Sequence, residues 1–266
     1  MENRIQKILN EKSKKVVIYT MAGYPDMITT KKLLLSLSKA GTSLIELGIP
    51  FSDPIADGPV IQHSGEVALK NGVTPKKAFA LVKSIRGKTD TPIVVMTYYN
   101  VIFKYGKEKF IKDAIESGID GAIIPDLPFD EETDLYELAK KSNFYVIYLV
   151  SPSNTLDRAK KIVEKSMGFV YYILLKGVTG ARKKNESDLR NLITLRKHTN
   201  KPFFAGFGIS NTKQAGTIFK YADGVIIGSA FIDEISRYVN TPDLLIKKSE
   251  EFVKGYVYEA EKAAKK

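Results

Sequence analysis

The chain has 266 residues, and its 41 lysines and arginines outnumber its 30 aspartates and glutamates, which gives a formal net charge of +11. It contains no cysteine and only two histidines, His63 and His198, far apart in the sequence. Disulfide scaffolds and thiolate chemistry are therefore excluded, and no histidine metal site is expected. No apolar run approaches the ~18 residues of a membrane span. The N-terminal segment is charged and lacks the apolar core of a signal peptide, so a cytoplasmic protein is expected.

The positive charge raises the hypothesis of a nucleic-acid partner. However, the lysines are spread along helix-like segments among acidic residues, and the dense clusters are Lys12–Lys15, Arg182–Lys184 and Lys262–Lys266. The sequence contains no recognisable nucleic-acid module and no basic stripe with interleaved aromatic residues. The charge favours attraction of small anions over binding of polyanions.

Short apolar runs rich in β-branched residues alternate with amphipathic stretches along the chain. The strand-like runs begin near Val16, Leu44, Pro92, Asp120, Phe144, Phe169, Pro202 and Asp223. Helices are predicted over Ile28–Lys39, Pro75–Ile85, Lys107–Ser117, Glu131–Lys141, Leu156–Glu164, Asp188–His198 and Thr212–Lys220. Eight such repeats predict a closed α/β barrel of parallel strands, the (β/α)8 or TIM barrel, rather than a doubly wound sheet. Without a linker or a shift in composition, residues 1–266 are predicted to form one domain, with an extra N-terminal helix.

The spacing of the strands predicts where the functional site lies. The two longest intervals between strand starts, 48 and 33 residues, follow the second and the sixth predicted strand. Extra residues after a barrel strand mostly extend a βα loop, and these loops build the active-site face. We therefore predict extended loops after strands 2 and 6, with the site close to both.

The second strand carries a carboxylate in an unusual place. Because side chains alternate along a strand, Ile45, Leu47 and Ile49 share an apolar face suited to the helical layer. Glu46 then points into the barrel. A buried carboxylate is costly unless it is hydrogen-bonded, neutral or used, and burial raises its pKa toward the range of a general acid. A structural hydrogen bond in the core is the alternative interpretation.

The loop after this strand, Pro50–Pro59, contains two further carboxylates. Asp53 precedes a proline and Asp57 precedes a glycine, so turn formation alone can explain either residue. The functional alternative makes one of them a second carboxylate that faces Glu46 across a substrate. Two carboxylates in different environments can divide the roles of acid and base.

Glycine-containing turns follow the last three predicted strands, at Gly177–Gly180, Gly206–Ser210 and Gly228–Ser229. Such turns let backbone N–H groups approach an anion, and a short helix expected to start near Ser229 would add its positive end. A phosphate site after the seventh and eighth strands is common in this fold. The alternative is that these glycines only make tight turns. Further possible pocket residues are Tyr98, Asn100, Asp126 and Tyr171, at or near strand ends.

Six motifs in this order, YTMAGYP, IELGIPFSDPIADGP, YYN, GVTGAR, GFGIS and IIGSA, closely resemble the α subunit of tryptophan synthase. The resemblance extends from about Val16 to Ile232. It implies cleavage of indole-3-glycerol phosphate to indole and glyceraldehyde 3-phosphate, without a metal or a cofactor in this subunit. It also implies a β subunit that carries pyridoxal phosphate and receives the indole within an α2β2 tetramer.

The resemblance implies roles for individual residues. Glu46 corresponds to the general acid/base and Asp57 to the second catalytic carboxylate. The predicted substrate-binding residues are Tyr98, Tyr171, Thr179, Gly180, Phe207, Gly208, Gly228 and Ser229. The chain departs from the usual family pattern at Lys176, where a small or hydroxyl residue is more common, and at Tyr19, where phenylalanine is usual.

Two alternative functions remain at this point. Lys176, near the end of the sixth strand, could form a Schiff base as in barrel aldolases, although strand alternation turns it away from the face that carries Tyr171. A barrel that only activates a partner subunit is the other alternative. For the resembling enzyme, we expect Asp53–Pro59 to dock on the β subunit and the charged segment Ala181–Ser187 to act as a mobile lid.

Overall fold

Strands and helices alternate along the computed structural model, which describes residues 2–131, 133–174 and 182–265, without the side chains of residues 182–188. The strands are β1 Lys15–Met21, β2 Leu44–Gly48, β3 Ile93–Met96, β4 Gly121–Ile123, β5 Tyr145–Ile147, β6 Leu149–Val150, β7 Val170–Ile173, β8 Phe203–Gly206 and β9 Gly224–Ile227. The helices are α1 Arg4–Leu9, α2 Met27–Lys39, α3 Pro59–Lys70, α4 Pro75–Lys83, α5 Tyr99–Tyr105, α6 Lys107–Glu116, α7 Thr133–Lys141, α8 Leu156–Lys165, α9 Arg182–Arg196, α10 Thr212–Ile218, α11 Ser229–Ser236 and α12 Pro242–Ala264. Among the described helices, none is both long and apolar enough to cross a membrane.

The strands form one parallel sheet in the order β5-β4-β3-β2-β1-β9-β8-β7-β6. Its two ends, β5 and β6, are the two halves of the fifth predicted strand and are separated only by Tyr148. β5 pairs with β4, whereas β6 pairs with β7, so this single stretch of chain closes the barrel. The interruption falls where the Tyr148 N–H donates to Ser166 Oγ at 3.0 Å. The predicted eight-stranded barrel is confirmed.

The alternation predicted for the second strand is also confirmed. Leu44 belongs to the apolar cluster inside the barrel, together with Val17 and Val94 from the neighbouring strands. Ile45 and Leu47 instead belong to the larger cluster between the strands and the helices. Glu46 therefore points inward from the middle of β2, as its position in the sequence predicts.

The N-terminal helix covers the amino end of the barrel. Ile5 of α1 is fully buried in the interior cluster. Asn3 caps this helix by accepting the Ile5 N–H at 2.9 Å, and its amide donates to the carbonyl oxygens of Asp120 and Asn143. Because Asp120 immediately precedes β4, these bonds tie α1 to the amino ends of the strands. The opposite end of the barrel is where the βα loops lie.

The long interval after β2 holds a helix, α3, that the sequence pattern did not predict, and the interval after β7 holds a helix that starts earlier than predicted. After β2, a loop over residues 49–58 leads into α3, and α4 follows before β3. Pro59 at the first turn of α3 favours a helix start, because its fixed φ suits that position and its missing N–H has no helical partner to lose. After β7, α9 begins at Arg182, six residues before the predicted start at Asp188. Residues 182–187 of the segment expected to act as a mobile lid are thus part of a helix, while Ala181 lies outside the described residues.

Candidate active site

A cavity of about 790 Å³ opens at the carboxyl ends of the strands. This volume is within the usual range for small-molecule sites. The predicted residues that line it are Glu46, Asp57, Tyr171, Phe207, Gly208, Gly228 and Ser229. Tyr19 and Asp126 line it as well. The structure thus brings together residues from β1, β2, β7 and the loops after β2, β4, β8 and β9.

Glu46 is the most enclosed carboxylate of this cavity. Its exposed fraction is 1%, and its Oε2 atom has no hydrogen-bond partner among the described residues. Burial raises the pKa of Glu46 from 4.5 to about 8, and the negative charge of Asp57 adds to the rise. The side chain is consequently a neutral acid near pH 7, able to give a proton to a bound molecule.

Asp57 belongs to the loop between β2 and α3 and is held differently. The Tyr98 hydroxyl donates to Asp57 Oδ2 at 3.1 Å and accepts the Ala56 N–H at 3.0 Å. The Asp57 carbonyl oxygen accepts a bond from the Gln62 amide at 2.9 Å. Partial burial raises the pKa of Asp57, and the bond from Tyr98 opposes that rise by stabilising the carboxylate. The turn interpretation of Asp57 is thus incomplete, because its side chain lines the cavity.

Tyr98 is held at the amino end of α5. It is 3% exposed, and the ring of Phe51 packs against it with centroids 5.3 Å apart. The next residue, Tyr99, donates its N–H to Asp126 Oδ1 at 2.8 Å, which fixes the start of α5 to the loop after β4. Tyr98 therefore contacts Asp57 and the loop after β2. The sequence had predicted a contact with substrate instead.

Tyr171 forms the wall of the cavity on β7. It is 6% exposed, and burial together with the charges of Glu46 and Asp57 raises its pKa, so the phenol stays protonated. A Cβ atom at Gly206 of the neighbouring strand would overlap the Tyr171 ring, which explains why glycine occupies that position. The Phe207 ring meets Tyr171 edge to face at 6.1 Å between centroids.

The turns after β8 and β9 also line the cavity. Phe207 and Gly208 both adopt positive φ values, 69° and 74°. A left-handed conformation is strained for phenylalanine, and such strain is concentrated at functional sites. Gly228 precedes α11, which begins at Ser229 as predicted, and no side chain caps its first N–H groups. Uncapped N–H groups at the start of a helix form a favourable place for an anion.

The remaining predicted residues do not all line this cavity. Thr179, Gly180 and the alternative nucleophile Lys176 lie outside the described residues. Asn100 does not line this cavity, whereas Asp126 does. The residue that the sequence reasoning missed is Tyr19, which it named only as a departure from a familiar pattern. The alternation of side chains along β1 could have predicted that Tyr19 lines the cavity, because Val17 and Tyr19 share the inward face.

These features define an enzyme of the (β/α)8-barrel class, with two carboxylates in unlike environments at the catalytic end of the barrel. The family model for the tryptophan synthase alpha chain matches residues 5–263. The tryptophan synthase alpha chains of Geotalea daltonii and of a Thermoanaerobacter species are each 44% identical to this chain. These matches cover 90% and 91% of this chain and 90% and 94% of the relatives, respectively.

Solved structures of tryptophan synthase are also similar to this chain. The α subunit of tryptophan synthase from Legionella pneumophila superposes with a TM-score of 0.90 at 31% identity, over 98% of this chain and 100% of that one. A chain of the ligand-free tryptophan synthase from M. tuberculosis gives 0.87 at 28% identity, over 97% and 99%. The chain belongs to the tryptophan synthase alpha chain family. It is a lyase of tryptophan biosynthesis that cleaves indole-3-glycerol phosphate to indole and glyceraldehyde 3-phosphate and needs no cofactor of its own.

Proposed function

We propose that Glu46 performs both proton transfers of this cleavage and that Asp57 holds the indole nitrogen. The observation that carries the proposal is the buried Glu46 carboxyl group, which lines the cavity with one oxygen left without a partner among the described residues. A polar atom enclosed in this way costs the folded state free energy, unless a ligand completes its hydrogen bonding.

The transfers balance on one carboxyl group. Neutral Glu46 gives its proton to C3 of the indole ring, and the ring becomes an electron sink. The hydroxyl group on the adjacent side-chain carbon returns a proton to Glu46, and its O–H electrons form the aldehyde C=O bond. The electrons of the broken C–C bond restore the aromatic ring. Glu46 is regenerated, and the net reaction takes up no proton.

Asp57 suits the complementary role because its carboxylate is stabilised by the hydrogen bond from Tyr98. Protonation of C3 places positive charge on the ring nitrogen, and an ionised carboxylate beside the N–H lowers the energy of that intermediate. In the turns after β8 and β9, Gly208, Gly228 and Ser229 supply backbone N–H groups for the phosphate, together with the start of α11. The proposed binding residues Thr179 and Gly180 complete this list from outside the described part of the chain.

The direct test is release of indole by Glu46→Gln and Asp57→Asn. Glutamine retains the size of glutamate but carries no transferable carboxyl proton, and such transfer contributes ~10²–10⁴-fold to the rate. We expect losses of that order for Glu46→Gln, with inorganic phosphate bound as tightly as by the wild type. Glu66→Gln, on the exposed face of α3, is the matched control. Activity of Glu46→Gln within about threefold of wild type would exclude Glu46 as the acid.

The partner is the tryptophan synthase β subunit, which carries pyridoxal phosphate and receives the indole in an α2β2 complex. We place the docking loop at Asp53–Pro59, where Ile55 is an apolar side chain with 84% of its surface exposed. The β subunit should accelerate indole release by ordering this loop and thereby Asp57. The acceleration can be no larger than the ratio of the β subunit's affinities for the ordered and the disordered loop. As an enzyme of amino-acid biosynthesis, the chain is assigned to the cytoplasm.

The partner is tested by indole release with and without the cognate β subunit. We expect a faster rate at saturation, a weaker response from Ile55→Asp, and unchanged cleavage by that variant alone. Ile115→Asp is the matched control, because Ile115 is partly exposed near the end of α6, at the opposite face of the barrel. A rate unchanged by saturating β subunit would mean that this chain acts alone.

A further inference from the structure

The hydroxyl group of Tyr19 is a polar group of the cavity that the proposed mechanism leaves unused. Tyr19 lies in β1 and is 4% exposed. In the parallel register it pairs with Glu46 of β2, so the two side chains are neighbours on the inner face of the barrel. Unlike Tyr98, its hydroxyl makes no hydrogen bond within the residues that the structure describes.

Two glycines lie against this side chain, and one of them provides the space for its hydroxyl group. A Cβ atom at Gly48 would overlap the Tyr19 hydroxyl, so the phenol oxygen lies over the end of β2, beyond Glu46. A Cβ atom at Gly228 would lie 3.6 Å from Tyr19 Cβ, so the base of the ring lies beside the turn after β9. Burial, together with the charges of Asp57 and Glu46, raises the pKa of Tyr19 well above its ordinary value. The hydroxyl is therefore a permanent hydrogen-bond donor.

The order of the strands places Tyr19 between the two ends of the substrate. β1 pairs with β9 on one side and with β2 on the other. The proposed phosphate site follows β8 and β9, and the proposed indole ligand Asp57 follows β2. The part of indole-3-glycerol phosphate that joins the phosphate to the ring is its glycerol chain, and this chain must pass the wall to which Tyr19 belongs.

We propose that the Tyr19 hydroxyl donates a hydrogen bond to a hydroxyl group of the substrate's glycerol chain, and that Tyr19 thereby selects hydroxylated side chains over plain alkyl ones. This inference rests on the proposed placement of phosphate and indole. A buried donor left unpaired by an alkyl chain disfavours that ligand, because the donor has given up water without a replacement.

The experiment compares Tyr19→Phe with wild type on two ligands. The substrate carries two glycerol hydroxyls, whereas indole-3-propanol phosphate has the same ring and phosphate and neither hydroxyl. For Tyr19→Phe we expect kcat/KM for the substrate to fall about 10-fold, the worth of one well-placed hydrogen bond. The Kd of indole-3-propanol phosphate should change by less than about twofold. The Kd of the substrate itself, measured in a Glu46→Gln background, should rise with the same replacement.

Tyr256→Phe is the matched control, because Tyr256 of α12 is 1% exposed and its hydroxyl also lacks a partner among the described residues. It should leave both ligands unaffected. Equal weakening of both ligands by Tyr19→Phe would assign Tyr19 to ring packing, and an unchanged kcat/KM would remove it from recognition; either result overturns the inference. Failure of the proposed function would appear separately, as a Glu46→Gln chain that still releases indole.

Discussion

Replacement of Glu46 by glutamine should stabilise the protein in a manner that depends on pH. The pKa of Glu46 is 4.5 in the unfolded chain and about 8 in the folded one, so the native state binds this proton more tightly. Stability therefore falls as pH rises from about 4.5 to about 8, by about 1.4 kcal/mol per pH unit in the middle of that window. Over the full window the ionised side chain costs about 5 kcal/mol, which glutamine avoids.

The measurement is the free energy of unfolding in urea at pH 5 and pH 7, followed by two optical probes to check for intermediates. The advantage of Glu46→Gln over wild type should widen by about 2 to 3 kcal/mol between these two pH values. Glu66→Gln, on the surface of α3, should show no comparable widening. A constant difference between Glu46→Gln and wild type would refute the reasoning, because it would mean that Glu46 ionises in the barrel as readily as in the unfolded chain.

Three further predictions concern other parts of the molecule. Tyr98→Phe removes the hydrogen bond that opposes protonation of Asp57, so the acidic limb of the kcat/KM profile should move to higher pH, with phenylalanine retaining the packing. Arg86→Met should lower the free energy of unfolding by about 1.5–3 kcal/mol, the usual contribution of a hydrogen bond to a charged group, because it removes the 3.0 Å ion pair to the buried Asp120, which retains its 3.1 Å pair with Arg4. Lys176→Met should retain activity, and borohydride with substrate should trap no adduct; a stable mass increase on Lys176 would favour the Schiff-base aldolase.

The parts of the fold that the sequence predicts are those with a local cause. The alternation in β2 places Glu46 inside, and the glycine before Ser229 marks the start of α11. The start of α9 was not predicted, because residues 182–187 are polar or charged and lack the periodic apolar residues that indicate a helix. The division of the fifth strand at Tyr148 was not predicted either, because it depends on which neighbouring strand each half pairs with.

Prediction of the site from the sequence is limited in the same way, because its contacts join residues that are distant in the chain. Asp57 and Tyr98 are 41 residues apart, and their hydrogen bond exists because α5 starts beside the loop after β2. A single sequence gives no measure of that distance, so Tyr98 was expected only to line the pocket. Tyr19 was noticed for its residue type, but the importance of Gly48 is visible only in the closed barrel, where the missing side chain leaves space for the Tyr19 hydroxyl.

The unlike environments of the two carboxylates lead to the assignment of their roles. Glu46 is enclosed, with one oxygen unpartnered among the described residues, so the low dielectric favours its neutral form. Asp57 is only partly buried and accepts a hydrogen bond from Tyr98, which favours its charged form relative to an unpartnered carboxyl at the same depth. Exchanging the roles would require an anion where burial opposes it and an acid where a hydrogen bond opposes it. These environments therefore support the proposal that Glu46 is the acid that protonates the ring and that Asp57 is the anion that stabilises the positive charge on the ring nitrogen.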